Sequence, residues 1–108
     1  MYPYIKELDH FEIRTRLSLR QPIPVMVYRI DGEFMACGAT VNSYGITEED
    51  VWQRFQHNLV SVYYQIKKEA DRDSGNPGNK NSRIDKKCMM RYKVMASYLN
   101  DTSTSNTT

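Results

Sequence analysis

The chain has 108 residues, of which 40% are hydrophobic and 26% are charged, close to ordinary globular usage. We expect one domain over residues 1–101 and a disordered tail over 102–108. The net charge of +2 excludes a strongly basic or acidic protein, but residues 1–63 are acidic on balance and 64–93 are basic. We find no signal peptide and no run near the ~20 apolar residues of a membrane helix, which predicts a cytoplasmic protein.

Three strands are predicted in the first half of the chain. Residues 11–19, FEIRTRLSL, alternate between apolar and polar side chains after a lead-in that we expect to be a loop or a short helical turn. Residues 24–30 are rich in β-branched and aromatic side chains. Asp31-Gly32 then indicates a two-residue type I′ hairpin, with 33–42 as the returning strand. The fold class is therefore α+β, built on an antiparallel β-meander.

Glycine 38 lies inside the third predicted strand. A glycine in that position indicates a bulge or the close approach of another backbone.

A long amphipathic helix is predicted over about 48–69. Thr47 is a suitable N-cap with Asp50 in a box-like position, and Ile46 and Val51 have the spacing of a hydrophobic staple. One arc of about 120° should pack on one face of the sheet. This arc contains Val51, Trp52, Phe55, Leu59, Val62, Tyr63 and Ile66. The side chains expected in solvent include Gln53, Arg54, Gln56, His57, Ser61 and Gln65.

The segment 83–99 fits a helix or a strand, and a polar loop is predicted before it at 70–82. Its composition favours the helix. In a helix, the inward arc holds Cys88, Met89, Tyr92, Met95, Ala96 and Leu99. A basic stripe on the other side would consist of Arg83, Lys87 and Arg91. Beside it, Met90, Val94 and Tyr98 form an apolar line that we predict to be a contact between two copies or with a partner.

The residues of an enzyme active site are not recognisable in this sequence. The only histidines, His10 and His57, are expected at the surface, and no spacing typical of metal ligands occurs. Cys37 and Cys88 belong to no CxxC pair and are expected to be reduced, packed thiols. We therefore predict a non-catalytic protein without metal or cofactor.

Residues 25–66 resemble the HicB-like antitoxin domain, through a D-G-[acidic]-[aromatic]-x-A hairpin followed by G-x-T-x-E and a helix with a central asparagine. The matching positions are Asp31, Gly32, Glu33, Phe34, Ala36, Tyr44, Gly45, Thr47, Glu49, Asn58 and Leu59. The resemblance implies a truncated ribonuclease-H-like sheet without nuclease residues, a homodimer, and pairing with a small, basic ribonuclease toxin. The chain lacks the family's P-D-L-P-G-C-like stretch and the DNA-binding region that would follow the helix, so gene regulation is not implied.

Two hypotheses of function follow from these patterns. The first is a protein-binding regulator whose acidic groups, Asp31 and Glu33 with those at the start of the helix, hold a cationic partner. The second is a nucleic-acid-binding accessory protein that uses the basic stripe at Arg83, Lys87 and Arg91.

Overall fold

The computed structural model describes residues 2–74 and 82–101. The elements, in chain order, are β1 (Tyr4–Leu8), β2 (Leu17–Leu19), β3 (Ile23–Ile30), β4 (Glu33–Gly38), β5 (Val41–Gly45), α1 (Glu48–Ser74), α2 (Ser82–Tyr98) and β6 (Leu99–Asp101). Four strands form an antiparallel sheet in the order β1-β3-β4-β5, and β2 pairs with β6 in a separate ribbon. The predicted α+β class is confirmed. The predicted tail at 102–108 lies outside the described residues.

Neither helix, within the described residues, combines the length and the hydropathy that crossing a membrane requires.

The first predicted strand is wrong over most of its length, because only Leu17–Leu19 of residues 11–19 is a strand. The sheet instead takes β1 from the lead-in, where a loop or helical turn was expected. Burial still alternates along 11–17, with Phe11 half-buried and Leu17 buried. The segment reaches α1 without a partner strand, and the Glu12 backbone N–H donates to the Gln56 side chain at 2.7 Å. The alternation of apolar and polar residues in this segment therefore reflects alternating burial and not pairing with another strand.

The hairpin predicted at Asp31-Gly32 is confirmed, with φ angles of 51° and 82° as a type I′ turn requires. The single strand predicted over 33–42 is wrong, because the chain reverses again at Ala39 and Thr40, whose φ angles are 48° and 67°. Positive φ is unusual for a β-branched residue. Arg91 of α2 supports this second hairpin by donating to the Thr40 carbonyl at 3.0 Å.

The close backbone approach predicted at Gly38 is confirmed. A Cβ atom there would lie 2.8 Å from the Pro24 carbonyl oxygen, so only glycine allows β3 and β4 to pack this closely. The neighbouring strand β5 is at the edge of the sheet, and its Asn42 carbonyl accepts a hydrogen bond from the Asn58 side chain of α1 at 3.1 Å. Helix α1 thus satisfies part of the edge of β5.

The predicted N-cap of α1 is confirmed, since the Asp50 backbone N–H donates to Thr47 Oγ1 at 3.0 Å. The predicted staple is wrong, because Ile46 is 77% exposed. Val51 packs instead over Gly45, where a Cβ atom would lie only 2.6 Å from the Val51 nitrogen. The start of α1 therefore rests on the end of β5 through backbone contact.

The buried side of α1 follows the predicted arc, with Val62 half-buried and the others buried. The helix also runs on to Ser74, beyond the predicted end at 69. Gln56, predicted to face solvent, is 0% exposed, because the segment before β2 packs over this side of the helix. The hydrophobic core lies between the sheet and the helices and contains Leu8, Leu17, Ile23, Val25, Ala36, Val41, Val51, Trp52, Phe55, Leu59, Tyr63, Ile66, Met95 and Leu99.

The segment predicted at 83–99 is helical, which settles the alternative between helix and strand. Met95 and Leu99 are buried as the inward arc required, and the Tyr92 ring stacks on Tyr63 with their centroids 6.0 Å apart. The chain then enters β6 directly. The side chains of Arg83 and Cys88, and residues 75–81 of the predicted loop, lie outside the described part of the chain.

Candidate partner-binding face of the sheet

The strand register divides the side chains of the sheet between two faces. One face is turned towards the hydrophobic core and holds buried side chains such as Val25, Val27 and Ala36. The opposite face, which we call the outer face, is not covered by a helix within the described ranges. Its side chains are Ile5, Glu7, Pro24, Met26, Tyr28, Ile30, Glu33, Met35, Cys37, Asn42 and Tyr44.

The outer face is apolar and open to solvent. Eight large hydrophobic side chains are exposed among the described residues, and four of them stand here: Ile5 at 56%, Met26 at 45%, Ile30 at 48% and Tyr44 at 55%. Ile46, at 77%, follows directly after β5. The open face of a one-sided antiparallel sheet is normally polar. A concentration of this kind is typical of surfaces that contact a partner or a ligand.

A shallow hollow of about 540 Å³ lies on the outer face, with Ile5, Met26 and Cys37 among its lining residues and the second hairpin at its rim. The Cys37 sulfur lies 3.5 Å from the hydroxyl of Tyr28. This hydrogen bond, more than burial, raises the pKa of Tyr28. The tyrosine consequently stays neutral well into alkaline pH and adds no charge to the face.

Basic side chains are missing from the outer face as far as the described residues define it. Lys6 and Arg29 belong to the same strands but turn to the other side of the sheet. The Lys6 ammonium lies 4.2 Å from the centre of the Trp52 ring, and the Arg29 guanidinium lies 5.2 Å from that of Phe34. The charges that remain on the outer face are the carboxylates of Glu7 and Glu33, which the register places at opposite ends of the sheet.

The predicted partner-binding residues do not form one patch. Met90 and Val94 are exposed together on α2, at 68% and 40%. Tyr98 is half-buried and packs against the core, so it does not extend this pair. Asp31 and Glu33 lie at the first hairpin.

The two groups lie at opposite ends of β4. Arg91 fixes α2 to Thr40 in the second hairpin. The six residues of β4 separate the two hairpins by about 20 Å at 3.3 Å per residue.

The predicted basic stripe is only partly available for binding. Lys87 is exposed, but the Arg91 guanidinium is already bound to the Thr40 carbonyl and hydroxyl. Two of the predicted acidic groups are also engaged: Glu48 accepts from the Tyr4 hydroxyl at 3.2 Å, and Asp50 pairs with Arg54 at 3.1 Å. The part of the chain that the structure describes contains no group of three or more His, Cys, Asp or Glu side chains placed to hold a metal ion.

Comparisons with protein-family models, with curated proteins and with solved structures found no match to this chain. The resemblance of residues 25–66 to the HicB-like antitoxin domain, and the ribonuclease-H-like topology that it implies, stay predictions. The observed class is an α+β domain with a four-stranded antiparallel sheet, a two-stranded ribbon and two helices.

The outer face was missed from the sequence, although one signal for it was present. Strand β3, IPVMVYRI, is apolar or aromatic at every position except Arg29. A strand that is apolar on both alternating sets is typical of burial on both sides of a sheet. Only one of these sides is covered by the part of the chain that the structure describes.

Proposed function

We propose that this chain is a non-catalytic protein-binding domain and that the outer face of its sheet is the contact surface. The observation that carries the proposal is the group of exposed side chains at Ile5, Met26, Ile30 and Tyr44 on one uncovered face. Water contact with this much apolar surface is unfavourable, and a second protein surface would remove it. Methionine and tyrosine are also among the side chains enriched at protein interfaces.

In finer detail, we propose a cytoplasmic regulator of antitoxin type that pairs with a small basic protein. This proposal is supported by the acidic side chains that lie together at one end of the sheet. Phe34 pairs with Gly45, so the first hairpin and the start of α1 share one end of the sheet. Asp31, Glu33 and Glu49 consequently belong to the same end, next to the exposed Tyr44 of the outer face. A cationic partner on this end would be steered by charge and held by apolar contact.

Affinity purification from the organism that encodes the chain tests this proposal. A tagged chain is produced together with an untagged copy, and every protein recovered in stoichiometric amount is identified by mass spectrometry. We expect the parent to retain at least one protein, the untagged copy included, and Met26→Lys to lose it. Met90→Lys, an equivalent change of an exposed methionine on α2, should retain it. If the parent retains nothing, or if Met26→Lys retains as much as the parent, the proposal is wrong.

The nucleic-acid alternative has weaker support. Phosphate binding requires accessible lysine and arginine side chains. The outer face has none, and Arg91 of the predicted stripe is bound to Thr40. Recovery of nuclease-sensitive material in place of a protein would favour this alternative over a protein-binding role.

A further inference from the structure

The apolar area of the outer face matches one half of a stable dimer contact. The exposed fractions of Ile5, Met26, Ile30 and Tyr44 together equal about two complete side chains. At about 200 Å² for a large side chain, this is roughly 400 Å². A standard protein–protein contact removes about 800 Å² from each partner, and somewhat more than half of it is apolar. The outer face alone therefore supplies about the apolar area that a specific contact contains.

The charge distribution on the outer face distinguishes between the kinds of molecule that could bind there. Its centre has no ionised group, so a copy of the same face could cover it without burying a charge, which would be costly. The two carboxylates, of Glu7 and Glu33, lie at opposite ends and can stay hydrated at the rim of such a contact. An acidic partner or a nucleic acid would find no cation here. A strongly basic partner would be attracted to the acidic groups at one end of the sheet, beside this face, and not to its uncharged centre.

We infer that the occupant is a second copy of this chain, and that the two sheets stack through their outer faces about a two-fold axis. The inference rests on the proposed binding role of this face and names the partner. Stacked sheets lie about 10 Å apart and interlock their side chains. In a two-fold contact, a residue near the axis meets its own copy. Met26 and Cys37 pair across the two central strands, so they lie near the middle of the contact.

This dimer differs from the one predicted from the sequence, in which α2 of each copy would meet through Met90 and Val94. Substitution by lysine separates the two arrangements. Met26→Lys would place two ammonium groups, one from each copy, inside the stacked sheets, where neither has a counter-charge. Met90→Lys changes a methionine that is even more exposed, at 68% against 45%, on a surface that the stacked dimer leaves free.

Gel filtration with light scattering measures the outcome on the purified chain, and circular dichroism checks that each variant is folded. The parent should have twice the monomer mass of 12.7 kDa. Met26→Lys should have the monomer mass at the same concentration, because its dissociation constant rises at least about 100-fold. Met90→Lys should remain dimeric. Tyr44→Lys, at the side of the same face, provides a second variant in case Met26→Lys does not fold.

A second measurement leaves every residue of the outer face unchanged. In a Cys88→Ser background, the rate at which a maleimide labels Cys37 should fall at least about tenfold between dilute and concentrated protein, as the dimer forms. A parent of monomer mass, or folded Met26→Lys and Tyr44→Lys dimers, would each overturn the inference. A labelling rate that stays constant while light scattering shows the mass changing from monomer to dimer would overturn it as well. If the parent is monomeric but affinity purification recovers another protein that Met26→Lys loses, the proposed function stands and only the second copy is excluded.

Discussion

Replacing Gln56 by alanine is the most direct test of how the segment before β2 is held. Gln56 is 0% exposed and makes three hydrogen bonds, two of which join this segment to α1. Its Oε1 accepts from the Glu12 backbone N–H at 2.7 Å, and its Nε2 donates to the Trp52 carbonyl at 3.3 Å and to Glu12 Oε1 at 3.4 Å. We expect Gln56→Ala to reduce the free energy of unfolding substantially.

The magnitude follows from which partners lose their hydrogen bonds. The Trp52 carbonyl keeps its bond within the helix, and the exposed Glu12 carboxylate returns to water. Only the Glu12 backbone N–H is left without an acceptor, which costs about 1–3 kcal/mol. Loss of the buried Cγ methylene adds about 0.8 kcal/mol. The expected total is about 2–4 kcal/mol, which corresponds to a fall in Tm of roughly 8–16 °C for a domain of this size.

Urea denaturation followed by circular dichroism measures this loss. Gln53→Ala is the matched control, because Gln53 is an exposed glutamine on the same helix, and it should change stability by less than about 0.5 kcal/mol. Gln56→Glu adds a test with a pH signature: its buried carboxylate would face that of Glu12, so part of the lost stability should return as the pH is lowered towards about 4, the ordinary pKa of a carboxyl group. If Gln56→Ala and Gln53→Ala unfold at the same urea concentration with the same slope, the burial assigned to Gln56 is wrong.

Three further outcomes follow from the structure. Thr47→Ala should lose about 1 kcal/mol in urea denaturation, because the Asp50 N–H loses its cap, whereas Thr47→Ser should stay close to the parent. Gly45→Ala should cost about 1–3 kcal/mol by the same measurement, because the added methyl group meets the backbone of Val51. Burial raises the pKa of Tyr63 from 10 to about 12, so its contribution to stability is complete below pH 10 and is lost as the pH rises to 12. Tyr63→Phe should therefore lose less stability than the parent between pH 10 and 12, and identical pH profiles would contradict the burial of this hydroxyl.

The features predicted correctly from the sequence are those with a local cause. The Asp31-Gly32 turn needs only two residues that tolerate positive φ, and the start of α1 needs only the hydroxyl of Thr47 near the Asp50 N–H. The turn at Ala39-Thr40 has the same backbone shape, but its residues do not prefer it. No local rule could find it, because its support comes from α2.

The outer face was missed for a different reason. Its residues come from four strands, and only the register brings Ile5 beside Met26 and Met35 beside Tyr44. Residues 11–19 were also predicted as the first strand of the sheet, so Ile5 was not expected to lie in a strand. The first hypothesis for a contact surface, on α2, used a pattern visible within a single helix. A surface assembled from separate segments requires the topology first.

The bond between Arg91 and Thr40 has a consequence for the order of folding. The first hairpin can close from its own sequence, whereas the second is supported by a residue 51 positions away. A contact between residues this far apart forms only after the intervening chain has brought its two ends together, and this closure has an entropic cost. We therefore expect β3 and β4 to pair early in folding. Strand β5 should pair with β4 late, when α2 packs against the second hairpin. Arg91→Ala should speed unfolding more than it slows folding, as for residues whose contacts form after the transition state.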